Sequence, residues 1–258
     1  MTQKEMLLYE EAHYPSDTFA DCVKGDGFTA FYFDENKDYR DGNHAIIYPE
    51  QITDLCGVLD EVREFYAQRN SEAAIYHPLA DEYYHCFEEN RELIEQCGYE
   101  ITLFDDSQFM ILTGENTIKR KNQLDIRLLG GWDDRIASDI ILPCEVPWEI
   151  EQTKKFASRK DNYIFAGFID DNAVIYATLH KSRNYDCVRF DYILCAKQHR
   201  GKGYGGELMS YIADYCTENM LKGCFLVPES PYSEKIARKV GFTNAFTARA
   251  GVINTKPK

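Results

Sequence analysis

The sequence lacks long apolar runs and paired cysteines. No run approaches the roughly 18 apolar residues of a membrane-spanning helix, and residues 1–11 are too charged for a signal peptide. The nine cysteines occur singly, without a Cys-x-x-Cys pair. This distribution predicts reduced thiols and a cytoplasmic protein, and it argues against a disulfide framework or a zinc site.

Positive charge and clustered metal ligands are also scarce. The chain has 29 lysines and arginines against 43 aspartates and glutamates, which gives a net charge of −14. Such a chain has no basic footprint for nucleic acid. It can attract a cationic substrate such as an amine, although solubility alone is the simpler interpretation. His77 and His85 have no clear third ligand, so we expect no metal site.

The sequence does contain a regular alternation of strand-like and helix-like segments. Periodicity and turn residues predict strands at 44–49, 73–77, 99–104, 108–113, 124–129, 163–169, 173–180, 188–196, 224–227 and 242–253. They predict helices at 52–69, 82–96, 149–159, 205–220 and 231–240. Hairpins are expected across 105–107 and 170–172. This order is typical of an α/β fold with a mixed sheet.

The two halves of the chain repeat this order. In each half a long helix precedes a short strand, a second helix and a glycine, and the two glycines, Gly98 and Gly241, lie 143 residues apart. We therefore predict a weak internal duplication. A basic, polar linker at 114–123 would separate a domain at 1–113 from a domain at 124–258.

A glycine-rich loop, Arg200-Gly-Lys-Gly-Tyr-Gly205, joins the predicted strand 188–196 to the helix that follows. Glycine lets backbone N–H groups approach an anion closely, and a helix N-terminus adds partial positive charge. The loop is therefore predicted to bind a pyrophosphate. The first half has Pro49-Glu-Gln-Ile52 at this point and is expected to lack the site.

Two other interpretations of the loop remain open. Gly201, Gly203 and Gly206 fit the G-x-G-x-x-G pattern of dinucleotide-binding folds. Against it, Lys197–Arg200 separates the strand from the first glycine, and only about fifty residues follow the loop. A surface turn without any ligand is the second alternative.

The run from 191 to 206 resembles motif A of the GCN5-related N-acetyltransferases, Q/R-x-x-G-x-G/A, through Arg200-Gly-Lys-Gly-Tyr-Gly205. The strand at 224–227, the helix at 231–240 and the sequence Lys-Val-Gly-Phe242 follow in that family's order. The resemblance covers about residues 124–258. It implies a tandem acyl-CoA N-acyltransferase-like fold, with a catalytic second domain and a degenerate first domain.

The same resemblance implies how acetyl-coenzyme A binds. The carrier would lie between two diverging strands, 188–196 and 224–229. Its pantetheine arm would pair with the backbone of Ile193, Leu194 and Cys195. The expected pyrophosphate contacts are Arg200, Gly201, Lys202, Gly203, Tyr204 and Gly205. Ser230 is expected to cap the next helix or to contact pantetheine, with Ser233 as a further contact.

The resemblance also implies catalytic roles for direct attack by an amine. Asp191 matches the family's general base, although a charge paired with Arg189 on the same strand face is an equal alternative. Glu229 is a reserve candidate for the base. The backbone N–H of Cys195 would stabilise the oxyanion, and its thiol is expected to fill space rather than to form an acyl-enzyme.

The general acid departs from the family pattern. The position of the usual tyrosine, four residues before the glycine of Gly-Phe, is Ala237. Tyr232 or Ser233, earlier on the same helix, could protonate the leaving thiolate instead.

The sequence therefore predicts a cytoplasmic acetyltransferase that transfers acetyl from acetyl-coenzyme A to a primary amine on a small molecule or peptide. A non-catalytic module that binds or senses acyl-coenzyme A is the alternative. Transfer from aminoacyl-tRNA is disfavoured by the acidic charge. Trp132 and Trp148 are expected to pack in the core, with an acceptor pocket as the other possibility.

Overall fold

The computed structural model describes residues 1–76 and 86–255. His77 and His85 lie outside these residues. The chain forms two compact units, Gln108–Phe246 and Met1–Ser107 together with Thr247–Lys258. The predicted linker 114–123 lies within Gln108–Phe246 and has no helix or strand. The units are therefore not two consecutive halves of the sequence.

The first unit combines a mixed sheet with helices. Its elements are α1 (Gln3–Thr18), β1 (Asp21–Lys24), β2 (Phe28–Tyr32), β3 (Ala45–Ile47), α2 (Leu55–Ala67), β4 (Ala74–Tyr76), α3 (Arg91–Gln96), the start of β5 (Tyr99–Leu112) and the end of β11 (Phe242–Thr255). The sheet order is β1-β2-β3-β4-β11. Strands β3 and β4 are parallel and are connected through α2, whose Val58, Leu59, Val62 and Tyr66 are buried in the core.

The second unit has a larger sheet between two helical layers. Its further elements are β6 (Asp125–Leu129), a π-helix (Ile136–Ile141), α4 (Glu149–Ser158), β7 (Asn162–Ile169), β8 (Asn172–Lys181), β9 (Val188–Cys195), α5 (Tyr204–Glu218), β10 (Cys224–Leu226) and α6 (Pro231–Val240). The sheet order is β6-β7-β8-β9-β10-β5-β11. Apolar side chains of α5 and α6 form one core with the sheet, and the π-helix and α4 contribute to a second.

The predicted α/β fold with a mixed sheet is confirmed. The succession β3-α2-β4 in the first unit corresponds to β9-α5-β10 in the second, and both strand pairs are parallel. In each unit the helical segment that follows the parallel strand pair ends at a glycine, Gly98 or Gly241. Their φ angles of +82° and +107° lie in the left-handed region, where glycine has no Cβ penalty. In the described residues, no helix is both long and apolar enough to cross a bilayer.

Two expectations are wrong. Residues 99–112 form one continuous strand, β5, and not a hairpin across 105–107. In the sheet β5 lies between β11 and β10, and such pairing can outweigh a local turn preference like that of Asp105-Asp-Ser107. A disulfide also joins Cys56 to Cys97 in the first unit, with a Cα–Cα distance of 6.1 Å, so the cysteines are not all free thiols.

Candidate functional site

The candidate site is a cavity of about 640 Å³ in the second unit. It lies where β9 and β10 separate, since their pairing covers only Val188–Cys224 and Arg189–Phe225 while β9 continues to Cys195. The predicted site residues that line it are Asp191, Ile193, Leu194, Cys195, Arg200, Gly201, Gly203, Tyr204, Gly205, Ser230, Tyr232 and Ser233. The remaining predicted residue, Lys202, lines an adjoining groove.

The glycine-rich loop forms one wall of the cavity. Gly201 and Gly203 have φ angles of +76° and +91°, a backbone conformation that favours glycine. A Cβ at either position would meet no atom within 4 Å, so the loop faces open space. Gly203 precedes α5 without a side-chain cap, and the N–H groups of the first helical turn have no partner inside the helix. This geometry suits an anion.

The adjoining groove has a volume of about 390 Å³ and is strongly basic. Its cationic side chains are Lys119, Arg120, Lys121, Lys202, Lys235 and Lys239. Arg120 pairs with Asp214 at 2.9 Å. Sequence analysis treated Lys119-Arg-Lys121 as linker and missed its place beside the loop. The signal was a run of three cations in a chain of net charge −14.

Asp191 is the extra residue of a β-bulge in β9. Phe190 lies opposite Leu179 and Tyr192 opposite Thr178, so no residue of β8 lies opposite Asp191 in the strand register. Its carboxylate accepts hydrogen bonds from Arg189 at 2.5 Å and from His180 Nδ1 at 3.0 Å. The predicted pairing with Arg189 is thus present, and Asp191 also lines the cavity.

The bulge also fixes which face the following side chains occupy. Before it, Phe190 packs on the side of α5 and α6; after it, Ile193 and Cys195 do so. Tyr192 and Leu194 pack on the side of the π-helix and α4. If residues 188–195 alternated strictly, with no bulge at Asp191, Tyr192 and Leu194 would share a face with Phe190 instead.

A buried carboxylate, Glu149, lies behind the cavity and was missed by sequence analysis. Its side chain accepts hydrogen bonds from the hydroxyls of Tyr192 at 2.6 Å and Tyr176 at 3.0 Å. Burial raises the pKa of Glu149, and this effect outweighs the hydrogen bonds from Tyr192 and Tyr176, which lower it; the negative charge of Glu229 raises it further. Sequence gave little signal, because a glutamate in the first turn of a helix is common for dipole reasons alone.

Cys195 is partly buried, and this burial raises the pKa of its thiol. A raised pKa lowers the thiolate fraction that a nucleophile needs, so the thiol suits a packing role. The carbonyl of Cys195 accepts a hydrogen bond from Arg200 Nε at 3.0 Å.

Helix α6 begins at the edge of the cavity. The Ser230 side chain accepts from the backbone N–H of Ser233 at 3.1 Å, and Ser233 Oγ accepts from the N–H of Ser230 at 3.0 Å. The predicted cap is therefore present as a reciprocal capping box. Tyr232 is 67% exposed at this edge, whereas Ala237 is fully buried in the core.

The two tryptophans do not line this cavity. Trp132 Nε1 donates to Asp134 at 2.8 Å. Trp148 is 44% exposed, immediately before Glu149. Within residues 1–76 and 86–255, no group of three or more His, Cys, Asp or Glu side chains could hold a metal ion.

Comparison with known proteins bears on both the fold and the family. The model of the acetyltransferase (GNAT) family matches residues 134–242. No curated protein sequence matches the chain significantly. A GCN5-related N-acetyltransferase from Kribbella flavida is similar in structure, with a TM-score of 0.67, 10% identity, and coverage of 98% of this chain and 95% of its own.

Two further solved structures are similar over most of the chain. A GCN5-related N-acetyltransferase from Sphaerobacter thermophilus has a TM-score of 0.56 and 11% identity, covering 98% of this chain and 86% of its own. A tandem GNAT protein from the clavulanic acid biosynthesis pathway has a TM-score of 0.59 and 10% identity, covering 83% and 76% respectively. The predicted tandem fold is thereby confirmed.

Proposed function

We propose that the chain is an acyl-coenzyme A-dependent N-acyltransferase, because the model of the acetyltransferase (GNAT) family matches residues 134–242. Its reaction is transfer of an acetyl group from acetyl-coenzyme A to a primary amine of a small molecule or peptide. The observation that carries the proposal is the cavity between β9 and β10, which opens beside an uncapped, glycine-rich helix start.

The second unit alone is proposed to bind the carrier. In the first unit a 3-10 turn, Pro49–Gln51, stands between β3 and α2 in place of the glycine-rich loop. A proline has no backbone N–H to donate. The domain proposal from sequence, a degenerate first copy and a catalytic second copy, rests on this difference.

The residues of the cavity suit the parts of acetyl-coenzyme A. Backbone N–H groups of the loop at 200–205 would bind the pyrophosphate, with the positive end of α5 behind them. The backbone of β9 at 193–195, beyond its last pairing with β10, would pair with pantetheine. The basic groove lined by Lys119, Lys121 and Lys202 would attract the carrier's remaining phosphate.

The chemistry is a direct transfer. The amine nitrogen attacks the thioester carbonyl, and the N–H of Cys195 is proposed to stabilise the oxyanion, worth a few kcal/mol for a donor of this type (about 2.7–4). The C–S bond then breaks. Tyr232 is proposed to protonate the departing thiolate, although a thiol of pKa about 8.5 can also leave near neutral pH with little help.

The attacking amine must also lose a proton. Asp191 is the candidate from sequence, and it opens onto the cavity. Arg189 and His180 already donate to its oxygens. These hydrogen bonds fix the position of the carboxylate. Glu229 also lines the cavity.

The test is a thiol-release assay with acetyl-coenzyme A and a panel of amines, alongside calorimetric measurement of coenzyme A binding. An enzyme is expected to bind the carrier and to release free thiol with at least one amine. A chain that binds the carrier and releases no thiol with any amine would be the binding or sensing module, which the replacement of the family's tyrosine by Ala237 favours.

A further inference from the structure

Tyr192 connects the cavity to a carboxylate that the cavity does not reach. Tyr192 is one of the residues that line the cavity, and its hydroxyl donates to Glu149 at an O···O distance of 2.6 Å. Glu149 is only 3% exposed and is not among the lining residues. A single hydrogen bond therefore connects a residue of the cavity wall to Glu149.

Three elements hold this pair in place. Glu149 is the first residue of α4, and its second oxygen accepts from Tyr176 on β8 at 3.0 Å. The bulge at Asp191 directs Tyr192 of β9 to the same side of the sheet. Since both carboxylate oxygens are hydrogen-bonded to tyrosines on rigid strands, the geometry is fixed before a substrate binds.

The surroundings of Glu149 differ from those of Asp191. The groups that act on Glu149 are the hydroxyls of Tyr176 and Tyr192 together with the charge of Glu229. Thr153 on α4 forms a side-chain hydrogen bond with Tyr176. Cys144 lies near Tyr192. Asp191, in contrast, accepts from the guanidinium of Arg189. Burial raises the pKa of Glu149, and the hydrogen bonds that the structure describes for its carboxylate come only from neutral hydroxyls.

We propose that Glu149 is the final acceptor of the proton that the acceptor amine loses, and that Tyr192 passes this proton to it. The proposal rests on the N-acyltransferase function proposed above. As the amine nitrogen bonds to the acetyl carbon, its N–H bond breaks and the proton goes to Tyr192 Oη. The proton of Tyr192 moves at the same time to Glu149 Oε1, and the C–S electron pair leaves with the thiolate.

Tyr192 stays neutral throughout this step. Burial raises the pKa of Tyr192, so the phenol passes a proton on without ionising. Glu149 ends as a neutral carboxylic acid. After the products leave, it returns the proton to solvent through Tyr192. Tyr192 is thus the catalytic residue that meets the amine.

The experiment compares Glu149→Gln, Tyr192→Phe and Asp191→Asn with a matched control, Glu151→Gln. Glu151 lies on the same helix, where it forms an exposed ion pair with Lys154. For each variant, kcat and KM are measured from thiol release over a range of pH, and coenzyme A affinity is measured by calorimetry. Far-UV circular dichroism checks folding, and Tyr192→Phe removes only one hydroxyl.

We expect kcat to fall about 100-fold or more in Glu149→Gln and in Tyr192→Phe, with coenzyme A affinity unchanged. The rise of kcat with pH that deprotonation of Glu149 produces should disappear in Glu149→Gln. Asp191→Asn and Glu151→Gln should both keep that rise.

Two results would overturn the relay. If Asp191→Asn abolished the rise of kcat with pH while Glu149→Gln retained it, Asp191 would be the base. If Tyr192→Phe kept wild-type kcat, the proton would not pass through Tyr192. A wild-type protein that released no thiol with any amine would instead overturn the proposed function, and the relay with it.

Discussion

At the scale of single residues, two carboxylates beside one cavity have opposite surroundings. Asp191 accepts from Arg189 and His180, whereas Glu149 accepts only from neutral hydroxyls among the hydrogen bonds the structure describes for it. Neighbouring acids with unlike surroundings often divide proton-transfer work between them. This contrast comes from tertiary packing. Tyr176 and Tyr192 lie 27 and 43 residues from Glu149 in sequence.

The raised pKa of Glu149 should make wild-type stability depend on pH. Its folded pKa lies above the usual glutamate value of 4.5, so its contribution is present at low pH and is lost as pH rises through the folded pKa. Glu149→Gln cannot ionise. Its melting temperature relative to wild type should therefore increase from pH 4.5 to pH 8, as measured by calorimetry. A relative melting temperature that fell over this range would contradict the assignment.

Gly203 tests the anion site most directly. Gly203→Glu places a negative charge where the pyrophosphate is expected, at a φ of +91° that disfavours any side chain. We expect coenzyme A binding to be lost in calorimetry. Gly203→Ala separates backbone strain from charge, and Gly131→Glu, at a glycine whose Cβ would also meet open space, is the matched control. Unchanged affinity in Gly203→Glu would exclude this loop as the site.

At the scale of elements, α6 shows how a local sequence signal fixes a boundary. Ser230, Pro231 and Gly241 mark the helix that the structure places at Pro231–Val240, as predicted from sequence. These signals act between residues a few positions apart, so they can be recognised without knowledge of the fold.

Ser230→Ala should destabilise the protein by about 1 kcal/mol, the usual worth of such a cap. The loss follows because the N–H of Ser233 would lose its partner. Chemical denaturation measures it, with Ser158→Ala as the control, since Ser158 Oγ only donates to a carbonyl in its own helix. If coenzyme A affinity also fell, Ser230 would contact the carrier as well; unchanged stability would exclude the capping role.

Features that depend on distant strands could not be predicted in this way. The continuous β5 and the bulge at Asp191 both arise from pairing with other strands. The cavity-lining residues of the loop were predictable because motif A is a short local pattern. Glu149 and the basic residues at 119–121 were not, because only folding brings them to β9 and to the loop.

At the scale of the whole molecule, the two units differ in what stabilises them. The Cys56–Cys97 disulfide lies in the first unit and closes a loop of 41 residues, whereas the residues proposed to bind the carrier all lie in the second. Loss of a disulfide that closes a loop of this size costs about 4 kcal/mol in the chain-entropy account.

Cys97→Ser should accordingly lower the melting temperature of the first unit and leave coenzyme A affinity at 25 °C unchanged. Calorimetry measures both quantities. Cys22→Ser is the control, because Cys22 is an exposed free thiol in the same unit. A melting profile identical to wild type under oxidising conditions would show that this disulfide does not stabilise the protein in solution.

Both tryptophans of the chain, Trp132 and Trp148, belong to the second unit. Selectively excited tryptophan fluorescence therefore reports on the second unit alone and does not detect changes confined to the first unit. Trp148 is partly exposed and directly precedes Glu149, so its emission provides an optical signal at the start of α4. Acceptor amines could be titrated by this signal without any turnover.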